Sequence, residues 1–374
     1  MTNSLTAGLA SILSLALLAL TAACSPDPTG DTLTMSTEPT TNEVEATPIA
    51  GVDFHHYDIN GLRMRVAEQG EGPLVLFVHG WPESWYSWRH QIPAVAAAGY
   101  RAVAPDMRGY GGTTAPSAVA DYDITHLCAD LTGLVAELGE TEAVLVGHDW
   151  GAVAGWQCAL LEPDVFRAVV NMSVPYRGRS ERSLIDVLQQ SYGENFFYIL
   201  YFQELDESGN GLAEAEFDAD PRGVLSRLYA SPDTPREDPS ITDPLRSAGG
   251  WIPRLGAPTE LPSWLSQEDL DYYVGEFTRA GFRGGISYYR NFHRNWETTP
   301  QLAGALVQQP SLFIAGDKDG VIAGATQEQL EEGMGAVIAD LRGVHLIADT
   351  GHWVQQERPE EVNRLLLEFL ASLD

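Results

Sequence analysis

Six short apolar runs set the rhythm of this chain: PLVLFVHG (73–80), RAVAPD (101–106), EAVLVGHD (142–149), FRAVVNMSV (166–174), SLFIAGD (311–317) and LRGVHLIAD (341–349). A strand with one wet face alternates apolar and polar residues. Runs that stay apolar and stop at Gly or Asp read instead as strands buried on both faces of a parallel sheet. Helical stretches separate them at 84–98, 122–138 and 151–162, and an amphipathic stretch at 358–372 closes the pattern. The alternation stops near Pro175 and resumes at 311. Between these points, over about 176–305, the chain is helix-rich, carries aromatics and acidic turns, and shows no strand alternation. The pattern predicts one α/β domain made of 53–175 and 306–374, interrupted by a helical cap at 176–305. Within the cap, the acidic, turn-rich stretch 204–243 is expected to be an exposed excursion. There is no internal repeat.

The first 52 residues follow another pattern. Residues 8–23 are apolar or small, and Cys24-Ser25-Pro26 follows. A run this short suits the apolar part of an export signal (1–23) rather than a membrane span, which needs about 20 residues. Thr21-Ala22-Ala23-Cys24 resembles the bacterial lipobox, whose cysteine is acylated, although Leu20 lies one residue too far away and no Lys or Arg precedes Arg63. The expectation is an exported protein held to a cell envelope through lipidated Cys24, or else a periplasmic or secreted one. Residues 24–52, rich in Thr, Pro, Ser and acids, read as a disordered tether.

Charge narrows the function. Fifty-two acidic residues against 22 basic ones give a net charge of -30, and Lys318 is the sole lysine. A nucleic-acid binder needs a basic face, so that class is excluded. The excess describes a solvated surface. Apart from Cys24, the cysteines are Cys128 and Cys158, both in helix-like segments. Two buried free thiols are the default, with a disulfide left open in an exported protein.

The chemistry concentrates at strand ends. Gly147-His148-Asp149-Trp150-Gly151 follows a buried run and opens a helix. Small residues two before and two after the central residue are what a sharp strand–turn–helix elbow requires. The elbow presents its central side chain at the sheet edge; here that side chain is Asp149, where esterases carry Ser. A carboxylate displaces at an sp3 carbon and forms an alkyl ester, which a second step must hydrolyse. The bland alternative is an Asp that caps the following helix. His352, after the last strand run, is the candidate base, and His345 lies inside that run. Asp319 is the candidate orienter of the imidazole, with Asp317 competing. The backbone N–H groups of Trp81, in His79-Gly80-Trp81-Pro82, and of Trp150 are candidate oxyanion donors. The Trp81 side chain is open between packing and function.

With the segments His79–Arg89, Arg108-Gly109-Tyr110-Gly111-Gly112 and GHDWG, the chain resembles the soluble epoxide hydrolases of the α/β-hydrolase fold. The likeness continues through Tyr198–Glu204, Gly281–Gly284, Tyr289-Arg290-Asn291 and Arg294-Asn295-Trp296, and covers nearly all of 53–374. It implies a mostly parallel central sheet with helices on both faces, an inserted helical cap, and conversion of epoxides to vicinal diols with water. It also implies that two cap tyrosines, matching Tyr198 and Tyr289, hydrogen-bond the epoxide oxygen. A phenol with an ordinary pKa of about 10 is neutral near pH 7 and can donate to the forming alkoxide. Tyr201 and Tyr288 are the neighbouring alternatives. No metal or organic cofactor is implied. The rival reading is a haloalkane dehalogenase, in which the same Asp, His and acid serve and an indole or amide N–H holds the halide.

Overall fold

A computed structural model describes residues 45–322 and 324–373. The export signal and Cys24 lie outside the described residues. The strands are β1 (Glu45–Ala46), β2 (Asp53–Ile59), β3 (Leu62–Gln69), β4 (Leu74–Val78), β5 (Arg101–Pro105), β6 (Ala143–His148), β7 (Phe166–Met172), β8 (Ser311–Gly316) and β9 (Leu341–Ile347). Among the described residues they form one nine-stranded sheet in the order β1-β2-β3-β5-β4-β6-β7-β8-β9. From β5 to β9 every pairing is parallel, while β1, β2 and β3 add an antiparallel edge. Every residue of β4, β6 and β8 is buried. That is the mark of strands covered on both faces.

All six apolar runs of the sequence are strands. The antiparallel edge is the addition: Glu45–Ala46 pairs with Asp53–Phe54 inside the segment read as a tether, and Val52 is already in the core. The polarity of β2 and β3 hides them. β2 is only partly buried, and β3 holds Arg65 inside as half of an ion pair, so neither is an apolar run.

Register decides what meets at the sheet edge. Val78 pairs with Gly147, His148 with Met172, and Gly316 with Ile347. The carboxyl ends of β4, β6, β8 and β9 are therefore level, and the loops that leave them carry Trp81, Asp149, Asp319 and His352. Helix Ile124–Glu137 packs on helix Trp150–Leu161, and a disulfide joins Cys128 of the first to Cys158 of the second, with Cα atoms 5.3 Å apart. The expectation of two free thiols is corrected: helix periodicity could not show that these two helices pack side by side with the cysteines facing.

The cap lies between β7 and β8. It includes helices Leu184–Tyr192, Tyr198–Tyr201, Gln267–Ala280 and Arg283–Arg290. The expected excursion at 204–243 is exposed only in part. It contains helices Leu212–Ala219 and Pro221–Leu228, which bury Ala213, Phe217, Val224 and Leu225, with Tyr229 following. Most of its acids face water, with Glu214 buried against Arg290 as an exception, while apolar residues one helical turn apart face inward; a charge count does not reveal two amphipathic helices.

Charged anchors join cap to core. The Arg65 guanidinium lies 2.5 Å from both Asp106 and Glu276 of helix Gln267–Ala280. Arg89 pairs with Asp269 at 3.1 Å and donates to Gln356, whose Oε1 also accepts from Tyr273.

Candidate active site

Asp149 stands at the turn between β6 and helix Trp150–Leu161 with φ 52° and ψ -115°. A non-glycine residue in that region is strained and is held there by its surroundings. The surroundings are visible. A Cβ on Gly147 would strike the Gly151 carbonyl, and one on Gly151 would strike the Val78 carbonyl. The tight crossing of β4, β6 and the helix thus requires both glycines. The Asp149 side chain makes no capping bond to the helix it precedes. Its Oδ1 accepts instead from the Trp81 N–H at 2.8 Å, and its Oδ2 lies 3.6 Å from His352 Nε2.

His352 Nδ1 lies 3.0 and 3.1 Å from the two oxygens of Asp319, which is 3% exposed. Asp317 turns away and accepts from the Thr350 N–H at 3.3 Å, so of the two loop acids Asp319 meets the imidazole. His345 lies within β9, away from the site. Burial pulls the His352 imidazole toward its neutral form, but the Asp319 and Asp149 carboxylates outweigh it and hold its pKa well above the ordinary histidine value. Burial alone would raise the Asp319 pKa; the facing imidazolium and hydrogen bonds from His352 and the Val321 N–H hold it below the usual carboxylate range.

Asp149, His352 and Asp319 share a cavity of about 570 Å³ with Tyr198 and Tyr289 of the cap. Its remaining wall is mainly apolar and includes Leu188, Phe197, Trp251 and Val321. The two phenol rings are 5.9 Å apart and nearly perpendicular. Burial, reinforced by the Asp149 charge, raises both phenol pKa values, so both stay protonated and able to donate. A hydrogen bond between Tyr198 and Tyr289 works the other way on Tyr198 without reversing the shift. The neighbouring tyrosines are engaged elsewhere. Tyr201 bonds Glu216, and the Tyr288 hydroxyl donates to the Arg108 carbonyl at 3.0 Å.

Trp81 contributes its backbone N–H to Asp149, while its indole nitrogen lies where a Cβ on Gly285 of the cap would be 2.9 Å away. Trp150 begins its helix, and its ring packs on Tyr289 and Phe292. Lys318 stands outside this cavity, where its ammonium pairs with Asp233 of the cap at 2.6 Å and with Asp349 at 3.0 Å.

A buried layer that no sequence motif of its own announces lies behind these groups. His148 Nδ1 bonds Glu83 at 2.8 Å, and its Nε2 lies 2.8 Å from the His352 carbonyl oxygen. Glu83 also accepts from the Gly80 N–H and from Gln355 and Gln356. The only signal for this layer in the sequence is that Glu83 and His148 sit inside the two motifs that carry Trp81 and Asp149.

Residues 73–359 match the family model described as alpha/beta hydrolase fold. The chain is 49% identical over 321 residues to epoxide hydrolase A of Mycobacterium tuberculosis, covering 85% of this chain and 97% of that protein. It is 38% identical to epoxide hydrolase 2 of Siraitia grosvenorii over 84% of this chain and 96% of the other. The crystal structure of epoxide hydrolase A from Mycobacterium thermoresistibile superposes with a TM-score of 0.77 at 46% identity, covering 86% of this chain and 98% of that one.

Proposed function

This chain belongs to the epoxide hydrolases of the alpha/beta hydrolase fold, and from that premise we propose how its residues divide the reaction that turns an epoxide and water into a vicinal diol. Asp149 attacks a ring carbon and forms a carboxylate ester. The ring C–O bond breaks with its electron pair on oxygen, and Tyr198 and Tyr289 donate to that oxygen as its charge appears, one phenol giving up its proton. His352 Nε2 then takes a proton from water, and the oxygen attacks the Asp149 carbonyl carbon. The N–H groups of Trp81 and Trp150 face the resulting oxyanion. The intermediate collapses by expelling the diol oxygen, which takes the proton from His352. The regenerated Asp149 carboxyl loses its proton, and the phenolate recovers one through solvent. Asp319 orients His352 and favours its charged form throughout.

One observation carries this reading: two phenols, both kept protonated by burial, share one apolar cavity with Asp149 and the His352–Asp319 pair. A dehalogenase needs an N–H at the leaving halide. An epoxide needs proton donors at a forming alkoxide, and the two protonated phenols facing Asp149, with the epoxide hydrolases among the relatives, favour the epoxide reading. The test is a single turnover in heavy-oxygen water. The label should enter the Asp149 carboxylate before it reaches any diol. Asp149→Asn and the double variant Tyr198→Phe/Tyr289→Phe should both lose ring opening; diol formation at the native rate in either one sinks the mechanism.

We also propose that the chain is exported and attached to a membrane through lipidated Cys24. The apolar run at 8–23 and the Cys128–Cys158 disulfide support this, since disulfides persist in oxidising compartments. Replacing Cys24 by Ala should move the protein from the membrane fraction to the soluble one.

A further inference from the structure

His352 is held by more than Asp319. It sits between the end of β9 and the one-turn helix Val354–Glu357. The Gly351 N–H donates to Glu357 Oε2 at 2.9 Å, and the Trp353 N–H donates to Glu357 Oε1 at 3.0 Å. A single carboxylate therefore grips the backbone immediately before and immediately after the base. On the opposite side, the His352 carbonyl accepts from Ser173 Oγ at 2.8 Å and meets His148 Nε2 at 2.8 Å. The loop is thus held from both sides.

The grip depends on a carboxylate of this reach. Two N–H donors converge on two different oxygens, and a glutamine would turn an NH2 toward one of them. Gly351 makes room for it: a Cβ there would lie 2.9 Å from Glu357 Oε1 and 2.8 Å from Pro232 of the cap. The same carboxylate reaches the cap, because Glu357 Oε2 also accepts from Ser231 Oγ at 3.2 Å. Glu357 nonetheless lies outside the catalytic cavity, on a separate one of about 260 Å³ that it lines with Ser231, Trp264 and Lys318.

We infer that Glu357 is a positioning residue for hydrolysis of the ester. It fixes the His352 ring between Asp319 and Asp149, and it has no part in ring opening. The inference rests on the two-step reading above. Asp149 is held independently by its own elbow and by the Trp81 N–H, so the first step should not sense residue 357. A tilt of the imidazole of about 1 Å is enough to slow water activation by about a hundredfold.

The experiment is a rapid-quench single turnover of Glu357→Gln and Glu357→Asp with styrene oxide, following the alkyl-enzyme by intact mass and the diol by chromatography. The aspartate keeps the charge but, one methylene shorter, reaches one N–H at a time, and it stands in if the glutamine variant does not fold. Ring opening should stay within about twofold of wild type while ester hydrolysis falls by about tenfold to a hundredfold, so that alkyl-enzyme accumulates. If ester hydrolysis keeps its native rate, or if both steps fall together as they would for a residue that merely caps its helix, the inference is overturned. His352→Ala serves as the control for the underlying reading. If that variant accumulates no ester, the two-step course itself is wrong; if it does and the Glu357 variants do not, the fault lies with Glu357.

Discussion

At the residue scale, the charge on His352 depends on the Asp149 carboxylate beside it. The Asp149 carboxylate helps to hold the imidazole protonated in the resting enzyme, yet a protonated imidazole cannot accept a proton from water. Esterification turns Asp149 into a neutral carbonyl and removes its share of the upward shift, so that the imidazole can release its proton to solvent and then serve as the base. Asp149→Asn imitates that neutral state, so NMR titration of the His352 ring should give a lower pKa than in wild type; an equal or higher value contradicts the coupling. The sign for folding is the reverse of a carboxylate's. A raised histidine pKa stabilises the fold below the ordinary histidine value, and that contribution is lost as pH climbs through the raised one. The elbow offers a second check at this scale. Gly151→Ala should cost about 3 kcal/mol or more, since the obstacle is the Val78 backbone and not a side chain that can swing away. Chemical unfolding measures it. Asp149, His352 and Asp319 were legible because strand ends and a glycine-flanked turn announce them. Glu83 was not, because a buried acid looks like a surface acid until its partners arrive from elsewhere in the chain, and neither was Glu357, whose grip on Gly351 and Trp353 depends on how a short loop folds back on itself.

At the scale of elements, the same contrast holds. β4 to β9 were legible as apolar runs, most plainly β4, β6 and β8, where burial along the whole strand leaves few polar residues to blur the pattern. β2 and β3 were not, and neither was the meeting of helices Ile124–Glu137 and Trp150–Leu161, which only packing reveals. Their disulfide closes a loop with a sequence separation of 30, and one of the joined helices begins directly after the nucleophile. Replacing both cysteines by serine should lower stability by about 2–4 kcal/mol, read from urea unfolding without reductant. Both residues are buried, so reductant should act on the wild type only as fast as the helices part. Rapid reduction of the folded protein would contradict the packing.

Across the whole molecule, cap and core meet through charged side chains as well as neutral hydrogen bonds and apolar contacts. Arg65 keeps Asp106 when Glu276 is replaced by Gln, so the loss should be partial, about 1–3 kcal/mol. The effect should appear as faster amide exchange in the 267–280 helix than in β4 or β6; uniform exchange would mean that the cap needs no such anchor. The outer surface obeys a different rule. With a net charge of -30 the folded chain repels itself, and salt screens that repulsion. Melting temperature should therefore rise between low and physiological ionic strength, and a fall would mean that attraction within ion pairs such as the Arg65 cluster outweighs the repulsion. Against this field the lone lysine has a practical meaning. Lys318 spans Asp233 on the cap side and Asp349 beside the base loop, and it is the only side-chain amine in the sequence. Among side chains, amine-reactive reagents therefore find one address on this protein, and the two carboxylates that keep its ammonium charged make it slow to react while they hold it. Its rate of labelling would report when the seam between cap and core opens and the pairs part.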